Sequence, residues 1–372
     1  MDSMPSDNLG SVLVVGGCGF VGFHITRHFC LEPSCTSVSV LSRNPQSNRL
    51  PQVSYHAGDI SDLARVRNVI LEVCPSIIVH AASPSAVSAS TKDFEAVTIH
   101  GTRNLLTIAF EAPSVRAFIF TSSATMAAGP EHIDLDEDTR LADMSPGSHP
   151  YARTKAKADK MVLAANRPPH ETRAGSFLST ACIRLPIVYG ERNLLAVPAA
   201  LAVLEKGQTN FQLGDGSNLW DFVSADNAAK AHVQLAKALA GQNNVARKVD
   251  GEAFNITDGQ RHRFWDYPRA IWKAAGYDLN ETRVWVVPTW LALFVADVLE
   301  WVFWIFTVGT KRPSQLGRQQ AEYSCLTHTY RIDKARERLE YAPVPDFDNG
   351  IRKSVAWSLT EGGWSSRLKK YH

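Results

Sequence analysis

Two residues able to share a proton, Tyr151 and Lys155, stand four positions apart in the stretch HPYARTKAKADKMV. Pro150 suits the first position of a helix, and a spacing of four places both side chains on one helical face. A free phenol, with a pKa of about 10, is a poor base at neutral pH. A neighbouring ammonium favours the phenolate, so the pair makes a workable acid/base. By itself YxxxK is common and usually marks a solvated helix. Upstream, Phe120-Thr121-Ser122-Ser123-Ala124 closes an expected strand. Ser123 there could hydrogen-bond a substrate oxygen shared with Tyr151, whereas the bland reading of a Ser-Ser pair is a turn or cap. Ser123, Tyr151 and Lys155 are the candidate catalytic residues.

A second group of residues could hold a cofactor beside them. Gly16-Gly17-Cys18-Gly19-Phe20-Val21-Gly22 lies between an apolar, β-branched run, Ser11–Val15, and an amphipathic stretch from Phe20 to Phe29. Strand, tight turn and helix in that order form a dinucleotide site: early glycines admit the pyrophosphate, and the last lets helix pack on sheet. An NAD-preferring site carries an acidic residue about 20 positions further on. Ser42 occupies that place, followed by Arg43. Loss of the carboxylate and gain of a guanidinium favour the 2′-phosphate of NADP over NAD; otherwise Arg43 is a solvated loop residue. Asp59, after the third expected strand, could accept from the adenine amino group or cap a helix. The expected cofactor residues are Gly16, Gly19, Phe20, Val21, Gly22, Ser42, Arg43, Asp59, Ile60, Ala81, Ala82, Thr121, Tyr151, Lys155 and Pro186. His80 reads as structural, with Ala81 and Ala82 small enough to let the dinucleotide lie close.

Strand-like runs at Ser37–Leu41, Ile77–His80 and Ala117–Phe120 alternate with helical stretches. This predicts an α/β protein, a Rossmann-type doubly wound parallel sheet with a smaller, mostly helical C-terminal substrate-binding region. The expected division is a dinucleotide-binding domain over 1–190, then a substrate region over 191–372 interleaved with the last strands. A hydrophobic content of 45% and a net charge of +2 describe a packed globular chain and give no electrostatic case for nucleic acid. The six cysteines have no CxxC pair and read as reduced thiols. The polar start, MDSMPSDNLGS, lacks the pattern of a signal peptide, so the expected location faces the cytosol. Sequons at Asn255 and Asn280 then read as chance matches. No histidine spacing suggests a metal. From Val284 to Gly309 the chain is apolar and tryptophan-rich, long enough to cross a bilayer but carrying Asp297 and Glu300 near its middle. Two readings stand level: a helix lying in a membrane interface, or a helix capping an apolar pocket.

VVGGCGFVG, HAAS, HGTRNLL, FTSSA, YARTK, LWDFVSADNAAKAH and LEYAPVPDFDNGIRKSVAW together resemble the 3β-hydroxysteroid dehydrogenase family of extended short-chain dehydrogenases. The look is nearest to its fungal sterol-4α-carboxylate 3-dehydrogenases, over roughly Ser11 to Trp357. The resemblance implies oxidation of a sterol 3β-hydroxyl by NAD(P), with loss of CO₂ from a 4-carboxylate. It implies a hydrophobic sterol- or terpenoid-like substrate, peripheral association with endoplasmic reticulum or lipid droplets, and dimers as a common family state. Three departures are visible. The acidic residue after the second strand is absent, Thr98 replaces a supporting asparagine, and Arg184-Leu185-Pro186 displaces a proline. These fit a diverged copy, so an NADPH-dependent ketoreductase of fungal specialised metabolism stays as an alternative. So do a sugar-nucleotide enzyme on the same fold and a non-enzymatic NADP-sensing protein.

Overall fold

The structure is a computed structural model, and the description covers residues 8–86, 89–144, 148–166, 178–241, 248–277, 284–306 and 317–368. Strands β1 (Gly10–Val15), β2 (Cys35–Ser42), β3 (Ser54–Ala57), β4 (Ile77–His80) and β5 (Ala117–Ser123) join those at Ser179–Leu185 and Glu252–Asn255 in one seven-stranded sheet. From one edge the order is Glu252–Asn255, Ser179–Leu185, β5, β4, β1, β2, β3. Every pairing in it is parallel. This is the doubly wound order, and the chain reverses its direction of travel between β1 and β4.

Parallel strands covered on both faces should be apolar throughout, and β4 and β5 are buried at every position. In β1 the side chains alternate. Val12 and Val14 join a core with helices α1 (Phe20–Leu31) and Ala225–Ala240. Leu13 and Val15 join the opposite core, with α2 (Leu63–Val73) and the helices Thr102–Glu111 and Pro150–Ala164. The edge strand Glu252–Asn255 lies far along the chain from β1, so residues beyond 190 complete the first sheet. Asn255 is buried within it and offers no glycan site; Asn280 lies outside the described residues.

The remaining C-terminal residues build a third core around Tyr189, Trp220 and Phe222, covered by the helices Ala196–Glu205, Asp266–Ala274 and Phe347–Thr360. Small sheets accompany these helices, so this part is less purely helical than the sequence suggests. The segment after Val284 is not one helix. Trp285–Val287 pairs as a short strand with Phe211–Leu213, and Pro288 separates it from the helix Thr289–Phe306. Residues 307–309 of the apolar segment lie outside the described residues.

Candidate active site

The glycine loop is built by close contact. Gly16 has φ +86°, and a Cβ there would lie 2.6 Å from the backbone of Ala82. A Cβ on Gly22 would lie 2.1 Å from the Gly16 carbonyl oxygen, so α1 can pack against the turn only because that side chain is missing. Gly16 N–H donates to Leu41 O, and Ala81 N–H donates to Val15 O, which ties the loop to the ends of β2 and β1.

A cleft opens at these strand ends. Of the expected cofactor residues, Gly16, Gly19, Ser42, Arg43, Asp59, Ile60, Ala81 and Ala82 line it together. Phe20, Val21 and Gly22 do not: they belong to the first turn of α1 behind the loop, where Val21 packs on the core. Leu41, Gly58, Ser83 and Val97 line the cleft as well and were not singled out from sequence. Gly58 and Ser83 sit beside chosen residues, and that adjacency was the available signal. Asp59 is not a helix cap; Asp62 caps α2 by accepting from Arg65 N–H. The Asp59 carboxylate instead accepts from the backbone and hydroxyl of Ser61. Those bonds, the backbone one foremost, hold it below the usual carboxylate range, and Arg43 adds a smaller pull.

The candidate proton-transfer group lies beyond the cleft, where β5 meets the helix Pro150–Ala164. His149 caps this helix, its Nδ1 accepting from Tyr151 N–H at 3.2 Å. The Phe94 ring meets Tyr151 edge-on, with centroids 5.9 Å apart. Phe94 begins a π-helical stretch, Phe94–Gly101, a wide turn that often marks functional positions. It holds Thr98, whose buried hydroxyl has no partner.

Lys155 is buried, and its Nζ donates to the Thr121 carbonyl at 2.8 Å. The ammonium also lies 4.7 Å from the centre of the Phe120 ring. Desolvation lowers its pKa to about 8, against the opposing pull of Asp159. Burial likewise raises the Tyr151 phenol above its ordinary value, and hydrogen bonding to Ser123 works against that rise. Ser123 Oγ lies 2.9 Å from Thr125 Oγ1 and 3.4 Å from Leu185 O. Ser123, Tyr151 and Lys155 are thus brought to one place, and Thr121 joins them as the anchor of Lys155. Pro186 sits between the strands Ser179–Leu185 and Ile187–Tyr189, next to the Leu185 carbonyl that Ser123 contacts.

Histidines support this group without carrying charge. His80 is wholly buried, with Nε2 at 3.1 Å from Thr102 Oγ1; desolvation, aided by Lys155, lowers its pKa to about 3. His232 Nδ1 faces the Ala228 carbonyl at 2.8 Å, and its Nε2 lies 2.9 Å from Thr121 Oγ1. A carbonyl only accepts, so Nδ1 carries the proton and Nε2 accepts from Thr121. Burial lowers the His232 pKa to about 4 and keeps the ring neutral. The stretch LWDFVSADNAAKAH, which carried much of the family resemblance, therefore ends beneath the anchor of Lys155.

A dinucleotide cradle at the sheet's switch point, with a Ser–Tyr–Lys group beside it, suits hydride transfer coupled to proton transfer. The 3-beta hydroxysteroid dehydrogenase/isomerase family model matches residues 13–288. The decarboxylating sterol-4-alpha-carboxylate 3-dehydrogenase of Schizosaccharomyces pombe is 33% identical over 357 residues, covering 95% of this chain and 98% of that one. Its Saccharomyces cerevisiae counterpart is 29% identical, covering 95% and 99%. Among solved structures, UDP-glucose 4-epimerase of Thermus thermophilus in complex with NAD superposes with a TM-score of 0.66 at 21% identity, covering 93% of this chain and 98% of that one. At that identity the likeness speaks for the fold alone. With glycine cradle, Ser–Tyr–Lys group and matching length in agreement, this chain belongs to the 3-beta hydroxysteroid dehydrogenase/isomerase family and is a nicotinamide-dependent oxidoreductase.

Proposed function

We propose that the protein oxidises the 3β-hydroxyl of a sterol-like 4-carboxylic acid, and that NADP is its preferred cofactor. The observation that carries the reaction is the Ser123–Tyr151–Lys155 group beside the cleft at the β1/β4 switch point. The sterol assignment rests on relatives of nearly equal length whose names specify a sterol-4-alpha-carboxylate. The cofactor preference rests on Ser42 and Arg43, which line the cleft where an acidic residue would otherwise face the ribose.

The glycine loop admits the pyrophosphate, Asp59 and Ile60 wall the adenine end, and Arg43 is the cation available to a 2′-phosphate. When bound, the nicotinamide supplies the hydride acceptor. Tyr151, as phenolate, removes the proton from the substrate hydroxyl. Lys155 holds positive charge close to that oxygen, and Ser123 donates to the reacting oxygen and orients it. Oxidation at C3 turns a 4-carboxylic acid into a β-keto acid, which loses CO₂ through its enol without a further catalytic group.

The helix Thr289–Phe306 supports peripheral membrane association. Trp290, Phe294, Trp301 and Trp304 stand exposed on it, Trp301 at 66%, and only Ala292 and Ala296 are buried. A helix that covered an apolar pocket would bury its aromatic side. Endoplasmic reticulum or lipid-droplet surfaces, where a sterol would be collected, suit this helix.

The test is direct. Detergent-purified protein is incubated with a 4-carboxysterol and NADP⁺ or NAD⁺, following nicotinamide absorbance and released CO₂. Equal amounts of reduced cofactor and CO₂, abolished by Tyr151→Phe, support the reading; no turnover of any 3β-hydroxysterol acid overturns it.

A further inference from the structure

Two residues 144 positions apart, Asn48 and Arg192, meet beside the glycine turn. An Arg192 Nη donates to Asn48 Oδ1 at 2.5 Å, and Asn48 Nδ2 donates to the Cys18 carbonyl at 2.9 Å. The guanidinium also lies over the Phe23 ring of α1, 4.2 Å from its centre. One residue back, the Glu191 carbonyl faces His24 Nε2, also on α1, at 3.0 Å. A single amide side chain thus joins the glycine turn, the loop after β2 and the loop after the strand Ile187–Tyr189.

Both residues hold backbones that side chains avoid. The φ angle is 52° at Asn48 and 70° at Arg192, in the left-handed region where a Cβ crowds the following carbonyl. Asparagine tolerates that region better than most residues; arginine has no such advantage. Such conformations persist only where surrounding contacts over-determine them. Here those contacts hold two walls of the cleft: Ser42 and Arg43 line it at the start of the Asn48 loop, and Gly16 and Gly19 line it from the turn. The same far loop also starts a helix of the third core. Asn193 Oδ1 accepts from Leu195 and Ala196 N–H at 2.9 and 2.8 Å, at the head of Ala196–Glu205.

A loop already fixed when a ligand arrives costs that ligand less ordering on binding. We propose that Asn48 and Arg192 are positioning residues for the cofactor, a clasp by which a loop from beyond residue 190 stiffens the glycine turn and the Arg43 loop together. Neither residue lines the cleft, so the clasp acts through the backbone it holds. The proposal rests on the reading of that cleft as the cofactor site.

Asn48→Gly and Arg192→Gly remove the side chains and leave backbones that glycine adopts freely, so the clasp is opened without strain. Nicotinamide fluorescence titrations of the full chain, with NADPH and with NADH, read the dissociation constants. For the cofactor that the unaltered protein binds more tightly, each variant is expected to bind about tenfold more weakly, the worth of one hydrogen bond to a charged group. The double variant should bind no more weakly than Asn48→Gly alone, because the two side chains act as one unit. Unchanged affinity in folded Arg192→Gly protein would overturn the proposal, as would losses that multiply in the double variant. A merely structural contact would lower Tm and leave the dissociation constants in place, and that result rejects the clasp as well. If the unaltered protein binds neither cofactor, the reading of the cleft falls and the clasp with it; variants that bind as the unaltered protein does sink the clasp alone.

Discussion

The Arg184 guanidinium meets the Asp159 carboxylate through two hydrogen bonds, Nε at 3.2 Å and an Nη at 2.8 Å, with both side chains buried. Asp159 lies one helical turn beyond Lys155, on the same helix. A residue of the strand Ser179–Leu185 thereby fixes the rotation of the helix that aims Tyr151 and Lys155. Arg184 also donates to the Glu137 carbonyl at 2.7 Å, so the pair reaches a loop as well.

Arg184→Met is expected to cost about 3–5 kcal/mol in denaturant unfolding, because it strands a buried carboxylate. Converting Asp159 to Leu in the same chain should recover much of that loss, since an apolar pair leaves no buried charge. A single-variant cost under about 1 kcal/mol would show that the pair does not hold the helix.

Lys155 carries the opposite signature. Its folded pKa, about 8, lies below that of an unfolded lysine. Between about pH 8 and 10.4 the unfolded chain therefore binds more protons, and stability rises with pH through that window. Below it the ammonium is a standing cost, so Lys155→Met should raise Tm at neutral pH by an amount worth up to about 3 kcal/mol while removing turnover. Thermal scans of both proteins across that window check the sign: the gap should narrow as pH rises.

The proposed preference for NADP rests on Arg43. Nicotinamide fluorescence titrations should show Arg43→Ala binding NADPH about 10–100-fold more weakly, the worth of a charged hydrogen-bonded contact, and NADH almost unchanged. A loss shared equally by both cofactors would reject the 2′-phosphate role. Gly22→Ala should abolish binding of both, because its Cβ would collide with the Gly16 carbonyl.

The exposed helix gives a separable test. Its 18 residues span about 27 Å, and its acidic side is already engaged: Glu300 accepts from Arg318 N–H at 2.8 Å, and Asp297 pairs with the Arg318 guanidinium. Replacing Trp301 and Trp304 with Glu should abolish flotation with phospholipid vesicles and leave cofactor affinity unchanged. Undiminished flotation would place the contact elsewhere.

What the sequence determined by itself was chiefly local. The loop GGCGFVG between a β-branched run and an amphipathic one specifies a turn that only glycines allow, and YARTK places two groups on one helical face. The parallel sheet followed from alternating strand and helix, since strands joined by helices pair in parallel. Tertiary structure decided what rests on distant partners. Lys155 could be read as catalytic, but its low pKa comes from burial, and its anchor reaches through Thr121 to His232, beyond residue 190. Asp159 follows Lys155 by four residues and was open to notice; its partner Arg184 was legible only as a departure from family pattern. Asp297 and Glu300 could be seen as charges on an apolar helix, and the fold supplies Arg318, which lets them sit there. Spacing along a chain fixes which side chains share a face; only packing fixes what that face meets and how much water is left around it.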